Sequence, residues 1–142
     1  MDAFSAWLPQ DDGLLPKWLW LVAVVSIFNT LQTYIQPLVL TRRLYNAQPH
    51  QVTPLTARFF GCWTLVSAVV RFYGAYNLRN PVVFALLVWT FVIAFTHYFT
   101  EIFVFHSARL LGPALSPVVV ATTSLVWMWS TYEYYLEQRP LA

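Results

Sequence analysis

Length, composition and charge exclude an ordinary soluble domain. The chain has 142 residues, of which 58% are hydrophobic and only 10% are charged, whereas soluble domains carry about a quarter charged residues. Its mean hydropathy is +0.55, so the composition predicts a protein embedded in a lipid bilayer. The net charge of +2 is scattered along the chain, which argues against nucleic acid as a partner. The single cysteine, Cys62, excludes an intrachain disulfide and a zinc site built on thiolates.

Four apolar stretches are predicted to cross the membrane as helices, because a crossing needs about 20 mainly apolar residues. They lie at about residues 18–35, 56–76, 82–105 and 114–136. The connection after the first span carries Pro37, Pro49 and Pro54 and is predicted to leave the membrane. The fold class is therefore an all-α membrane protein, a four-transmembrane-helix bundle with short loops. It is predicted as a single membrane domain of residues 1–142, with tails at 1–17 and 137–142.

The third span carries two titratable side chains one helical turn apart, His97 and Glu101. Such groups are costly at membrane depth and usually face protein, water or each other. Because Arg58 and Glu101 are almost equidistant from the turn at Arg79, an antiparallel hairpin places them at one level, where an ion pair is predicted. The first span adds two polar residues near that level. The predicted polar cluster is Asn29, Gln32, Arg58, His97 and Glu101.

Three interpretations of this cluster remain open. It can be a structural lock between helices, a docking patch for other membrane proteins, or a catalytic or metal site. The spacing of His97 and Glu101 would suit two metal ligands on one helix face. However, the chain has three histidines and lacks a Gly-rich phosphate loop, G-x-S-x-G and C-x-x-C. No catalytic residue, metal or cofactor is therefore expected.

Two further features concern the packing of the second span. Arg71 lies near its end, and its side chain is expected to extend to the lipid head groups, with pairing to Glu133 as the alternative. The small residues Ala57 and Gly61 permit close approach of a neighbouring helix.

Several motifs resemble those of a known family. They are F-N-T-L-Q at 28–32, R-L-Y at 43–45, A-R-F-F-G-C-W-T-L-V-S-A-V-V-R at 57–71, W-T-F at 89–91 and H-Y-F-T-E-I-F-V-F at 97–105. In this order they resemble the ergosterol biosynthetic protein 28 family, small membrane proteins of the endoplasmic reticulum. The resemblance runs from the first span to the fourth and leaves residues 1–16 outside.

The resemblance implies a scaffold in sterol (ergosterol) biosynthesis, not an enzyme. Its partners would be the sterol C-4 methyl oxidase, the decarboxylating 3β-hydroxysteroid dehydrogenase and the 3-keto sterol reductase, gathered at the endoplasmic reticulum membrane. The motif positions in this chain are Asn29, Thr30, Leu31, Gln32, Arg58, Gly61, Trp63, Arg71, Trp89, His97 and Glu101.

Two other functions remain open beside the scaffold. One is a small lipid- or sterol-binding or transport bundle, with a polar path at Arg58, His97 and Glu101. The other is a membrane enzyme that uses His97 and Glu101 as metal ligands or as an acid/base pair. Self-association into a homo-oligomer is compatible with all three functions.

Overall fold

A computed structural model of the chain describes residues 4–137, and these residues form helices and connections without any strand. The predicted tails, 1–17 and 137–142, therefore lie partly outside the described residues. Two single 3₁₀ turns occur, at Ser5–Trp7 and Pro49–Gln51. The α-helices are α1 (Leu15–Ile35), α2 (Pro37–Leu44), α3 (Pro54–Ala75), α4 (Pro81–Phe103), α5 (Leu115–Ser130) and α6 (Tyr132–Leu136).

The starts of the long helices follow from local sequence. A proline, whose missing N–H costs nothing there, stands in the first turn of four helices. Thr53 and Thr56 form a capping box at the start of α3, in which Thr56 N donates to Thr53 Oγ1 at 3.2 Å. Asn80 Oδ1 accepts from Val82 N and Val83 N at the start of α4. The prolines are Pro16, Pro37, Pro54 and Pro81.

The all-α membrane class is confirmed, with three helices, α1, α3 and α4, that are long and apolar enough to cross a bilayer. The predicted fourth span is not one continuous helix, because α5 has 16 residues and a break at Thr131 precedes α6. Both Ser130 Oγ and Thr131 Oγ1 donate to the Trp127 carbonyl, at 2.9 and 2.7 Å. Hydroxyls that compete for a backbone carbonyl favour a helix end.

Among the helix pairs, α1 and α3 pack along each other most extensively. Gly61 lies in this interface, and Thr30 Oγ1 donates to its carbonyl at 3.2 Å. A Cβ at Gly61 would overlap the Thr33 side chain and lie 3.3 Å from the Tyr34 ring. Ala57, one turn earlier, is fully buried. The predicted close approach at Ala57 and Gly61 is therefore present, and the missing side chain of Gly61 makes it possible.

The main core lies where α1, α3, α4 and α5 converge. Its fully buried members include Leu19, Leu87, Phe91 and Met128. A smaller cluster formed by Tyr98, Ile102, Ala108 and Ala114 lies at the opposite end of α4. Large apolar side chains also cover the outer faces of the helices, as expected where the surrounding solvent is lipid. Examples are Phe28, Phe59, Val66, Trp89 and Val126.

The segment before α1 crosses one end of the bundle. Tyr76 Oη donates to the Trp7 carbonyl at 2.5 Å, and Tyr135 Oη donates to the Asp12 carbonyl at 2.8 Å. Asp11 Oδ1 lies 3.6 Å from Arg79 Nε. This segment therefore joins the α3–α4 turn to α6.

Candidate functional site

At the opposite end of the bundle, the connection between α2 and α3 is hydrogen-bonded to the connection between α4 and α5. Ala47 N and Gln48 N both donate to the Ser107 carbonyl, at 3.0 and 3.3 Å. Arg109 N donates to Asn46 Oδ1 at 3.2 Å. These bonds bring two loops that are distant in sequence over the ends of α3 and α4.

Below these loops, four side chains form a polar network: Tyr45, His97, Glu101 and Ser107. Tyr45 Oη lies 2.7 Å from His97 Nε2, and His97 Nδ1 lies 4.0 Å from Glu101 Oε1. Ser107 Oγ donates to Glu101 Oε2, and Ser107 N donates to the Glu101 carbonyl at 2.9 Å. The network therefore connects α4 to both loops.

The electrostatics of the network favour a neutral Tyr45. Burial raises the pKa of its phenol, and the neighbouring phenol of Tyr98 and the carboxylate of Glu101 raise it further. Tyr45 therefore keeps its proton and can donate to His97 Nε2. In that case the proton of a neutral imidazole lies on Nδ1, on the side of Glu101. The side chains of His97 and Glu101 are 35% and 21% exposed.

Aromatic rings from α3 border the network. The ring of Trp63 lies 5.4 Å from that of His97, and the ring of Phe60 lies 6.2 Å from that of Tyr45. An adjoining cavity of about 480 Å³ is bordered by all four members of the network and by both aromatic rings. Trp63, a motif position, is thus in contact with His97.

Of the five residues in the predicted cluster, the structure brings His97 and Glu101 together and leaves the other three apart. Arg58 is exposed and does not border the cavity at His97. Gln32 is half-buried and makes no side-chain hydrogen bond within residues 4–137. Asn29 borders a second cavity, between α1 and α5.

The expected Arg58–Glu101 ion pair is wrong as a contact, because within residues 4–137 the carboxylates that lie within 4.0 Å of a basic side chain are Asp11, beside Arg79, and Glu101, beside His97. The reason is rotational. Ala57 and Gly61 face α1, and successive helical residues are turned by about 100°, so Arg58 points away from α4.

Sequence reasoning did not identify Tyr45 and Ser107 as members of the site. Tyr45 lies in the connection that was predicted to leave the membrane, and Ser107 lies in the connection between the third and fourth predicted spans. Tyr45 belongs to the R-L-Y motif at 43–45, and this motif was the signal that could have indicated it. Ser107 has no comparable signal in its flanking sequence.

The expectation that Arg71 extends to the head groups is wrong. Arg71 is 7% exposed, and its guanidinium is directed at α4. Nε donates to Thr90 Oγ1 at 3.2 Å, Nη2 donates to the Thr90 carbonyl at 3.3 Å, and Cζ lies 4.2 Å from the Phe91 ring centroid. Long helical side chains lean toward the helix N-terminus, which carries this one into the bundle. The alternative pairing with Glu133 is not formed, since Glu133 is exposed and is not among the carboxylates that lie beside a basic side chain within residues 4–137.

Within residues 4–137, no group of three or more His, Cys, Asp or Glu side chains that could hold a metal ion is present. The chemistry that the geometry offers at His97 is hydrogen bonding and proton sharing between an imidazole, a phenol and a carboxylate.

We expect Tyr45→Phe to loosen the loop between α2 and α3 while preserving the aromatic packing. It removes one hydrogen bond to His97, worth about 0.5–1.5 kcal/mol, and keeps the ring beside Phe60. Limited proteolysis of the purified protein in mild detergent should show faster cleavage at residues 45–53. His50→Ala, at an exposed position of the same loop, is the matched control, and equal cleavage of the two variants would contradict a role for the phenol.

Comparison with known proteins identifies the family. The family model described as "Erg28 like protein" matches residues 15–126. The chain is 46% identical to "Ergosterol biosynthetic protein 28" of Saccharomyces cerevisiae, with 87% of this chain and 83% of that protein covered. It is 47% identical to the protein of that name in Candida albicans, with coverages of 94% and 96%. Identity to the Schizosaccharomyces pombe protein is 41%, with coverages of 90% and 91%.

No solved structure matches the chain. The family match, residues 15–126, includes α1 to α4 and both loops of the polar network, and thus all four of its residues. The resemblance seen in the motifs is confirmed: this chain belongs to the Erg28 family.

Proposed function

We propose that this membrane protein is a non-catalytic scaffold that tethers the sterol C-4 demethylation enzymes at the endoplasmic reticulum. Its relatives are named as ergosterol biosynthetic proteins, and the family is involved in that pathway. The proposed partners are the sterol C-4 methyl oxidase, the decarboxylating 3β-hydroxysteroid dehydrogenase and the 3-keto sterol reductase. Holding them on one membrane protein raises their effective concentration for one another.

The observation that carries this proposal is how His97 and Glu101 use their polar atoms. Nε2 of His97 contacts Tyr45, and Oε2 of Glu101 accepts from Ser107. Both partners belong to loops. The titratable pair of α4 is thus engaged in fixing the loop end of the bundle, which supports a structural role for the pair over a reactive one.

The same end of the bundle supports docking by its charge. Four arginines there are exposed, and the structure pairs none of them with a carboxylate among residues 4–137. A cationic surface on fixed loops favours partners with acidic surfaces and accelerates their encounter. The arginines are Arg42, Arg43, Arg58 and Arg109.

In the bilayer, we propose that α5 and α6 together complete a fourth crossing. Sixteen residues of α5 rise about 24 Å, short of a hydrocarbon core of about 30 Å. The added turn of α6 supplies the missing length. Residues 1–142 then form one membrane domain, with the ends of α3 and α6 on the same side.

A co-purification experiment tests the proposal. The tagged full chain is recovered in mild detergent and scored by mass spectrometry for the three enzymes. We expect all three to be enriched over an unrelated membrane protein of the same compartment. The combined Arg42→Gln, Arg43→Gln and Arg109→Gln variant should reduce recovery severalfold, because it removes most of the exposed charge. Lys17→Gln, at the opposite end, is the control.

Failure to enrich any of the enzymes would overturn the scaffold proposal. Turnover of a 4-methyl sterol by the purified chain alone would do so as well, and would favour the enzyme that uses His97 and Glu101. A lipid-binding or transport bundle is the second candidate, because the cavity of about 480 Å³ reaches His97 and Glu101. Of the three residues predicted to line its polar path, Arg58 does not border that cavity.

A further inference from the structure

A second cavity separates α1 from α5. These two helices do not pack extensively against each other, although Trp18 Nε1 donates to Ser124 Oγ at 2.9 Å near one end. The cavity has a volume of about 450 Å³, within the range of about 300–1,000 Å³ typical of small-molecule sites. Exposed Leu21 and Val25 border it, so it opens sideways to the surrounding lipid.

Arg71 places a permanent charge on the wall of this cavity. Its guanidinium has five N–H donors and stays protonated. Nε and Nη2 bind Thr90, whereas Nη1 makes no hydrogen bond in the described part of the chain. Thr90 and Phe91 solvate the cation partly, but neither supplies a negative charge. A buried cation without an anion is costly, so an anion that enters from the lipid would be stabilised here.

Thr64 provides a second, independent observation. Its Oγ1 is buried without a hydrogen-bond partner among residues 4–137, and the residue borders the same cavity. Thr64, Ser67 and Arg71 share one face of α3, because their spacings are three and four residues. Since the Arg71 side chain leans toward Ser67, the guanidinium and the free hydroxyl lie along one polar stripe. Buried polar groups are usually paired, so a rotation of the Thr64 side chain that turns Oγ1 into the cavity would let a ligand atom pair it.

Most of the remaining wall is apolar, and Asn29 and Arg43 border the cavity at its α2 end. Val22, Phe91 and Val120 border the cavity, so the body of a bound molecule would meet hydrocarbon and aromatic surface. A wholly apolar occupant would fill the volume and leave the cation and the hydroxyl unpaired. An inorganic anion would pair them and leave the walls unfilled.

From these contacts we propose that the cavity between α1 and α5 binds an amphiphile with an anionic head group and an apolar body. The head group pairs with Nη1 of Arg71 and with the Thr64 hydroxyl, and the body lies between α1 and α5. A fatty acid and a carboxylated sterol share this chemistry. The inference goes beyond the scaffold role and concerns the chain alone, without any partner enzyme.

The test compares ligands that share the same apolar body and differ in the charge of the head group. Purified full chain in detergent is titrated with oleate against oleyl alcohol, and with cholesteryl hemisuccinate against cholesterol. Tryptophan fluorescence reports binding, because Trp18 and Trp63 border the cavity. We expect the anionic member of at least one pair to bind about tenfold more tightly, as hydrogen bonds to a charged group allow. The pair that shows the preference identifies the body.

Variants assign the preference to the cavity. Arg71→Gln should remove it, whereas Arg43→Gln, at the other arginine that borders the cavity, and Arg58→Gln, at the exposed arginine of the same helix, should retain it. Thr64→Val, which preserves volume and so folding, should weaken the anionic ligand severalfold and leave the neutral one unchanged. Equal affinities within both pairs for the wild-type chain would overturn the proposal. An anionic preference that survives both Thr64→Val and a folded Arg71→Gln would overturn it too.

Discussion

Glu101→Ala is expected to release the loop between α4 and α5 and to lower the free energy of unfolding of the bundle. The substitution leaves Ser107 Oγ without its acceptor and His97 without the neighbouring carboxylate. Stranding such groups costs about 1–3 kcal/mol. The cost of breaking a fully buried ion pair, about 3–5 kcal/mol, is an upper bound, because the Glu101 side chain is 21% exposed. Thermal unfolding in detergent measures the loss.

Two companion variants separate the causes of this effect. Glu101→Gln keeps the shape and an acceptor for Ser107, so it should lose less stability than Glu101→Ala. Glu137→Ala removes an exposed carboxylate beyond α6 and should leave the unfolding temperature unchanged. In the co-purification assay, Glu101→Ala should also weaken enzyme recovery, since the loops next to the docking surface are released. Equal stability of the Glu101→Ala and Glu137→Ala variants would refute a structural role for the network.

Gly61→Leu is expected to separate α1 from α3 and to be the most disruptive single change in the helix interfaces. Even a Cβ would overlap the Thr33 side chain, which is itself fully buried. Overpacking of this kind costs about 1–3 kcal/mol and sometimes more. In lipid, close packing and interhelical hydrogen bonds hold helices together, and separation would also break the bond from Thr30 to the Gly61 carbonyl. Unfolding in detergent, followed by circular dichroism, measures the change.

Two other substitutions in α3 serve as comparisons for the stability loss of Gly61→Leu. Val66→Leu adds bulk to an exposed position of the same helix and should have no measurable effect. Gly74→Ala would place its Cβ 2.5 Å from a methyl group of Leu87, and because Leu87 is fully buried in the core, a loss of stability from overpacking is expected there too. If Gly61→Leu unfolds at the wild-type temperature, the close approach of α1 and α3 does not contribute to stability.

Sequence reasoning predicted the level of residues along the helices better than the direction in which they point. Equal distance from the α3–α4 turn placed Arg58 and Glu101 near the same end of the hairpin, and α3 and α4 do run antiparallel with Arg58 and Glu101 toward that end. The facing of Arg58 was not predictable in this way. In a soluble helix the apolar stripe marks the inner face, but a helix in lipid is apolar on all sides.

The error at Arg71 and the helix break that was not predicted in the fourth span have a related origin. An arginine in a membrane helix usually extends its side chain to the surface. Only the structure shows that Thr90 and Phe91 of α4 lie within reach of the Arg71 guanidinium. In the fourth span, hydropathy carries no information on the hydroxyls of Ser130 and Thr131, which end α5 through the Trp127 carbonyl.

The order in which the chain is synthesised makes the contact between the segment before α1 and α6 one of the last to form. Its contacts are with Tyr76, Arg79 and Tyr135, and the bond from Tyr135 to Asp12 spans 123 residues. Ribosomal synthesis delivers Asp12 early and Tyr135 only near completion, so this contact cannot form until almost the whole protein has entered the bilayer. Tyr45 likewise waits for His97, 52 residues later. A partly synthesised chain in which only α1 to α3 are inserted therefore lacks both of these hydrogen bonds.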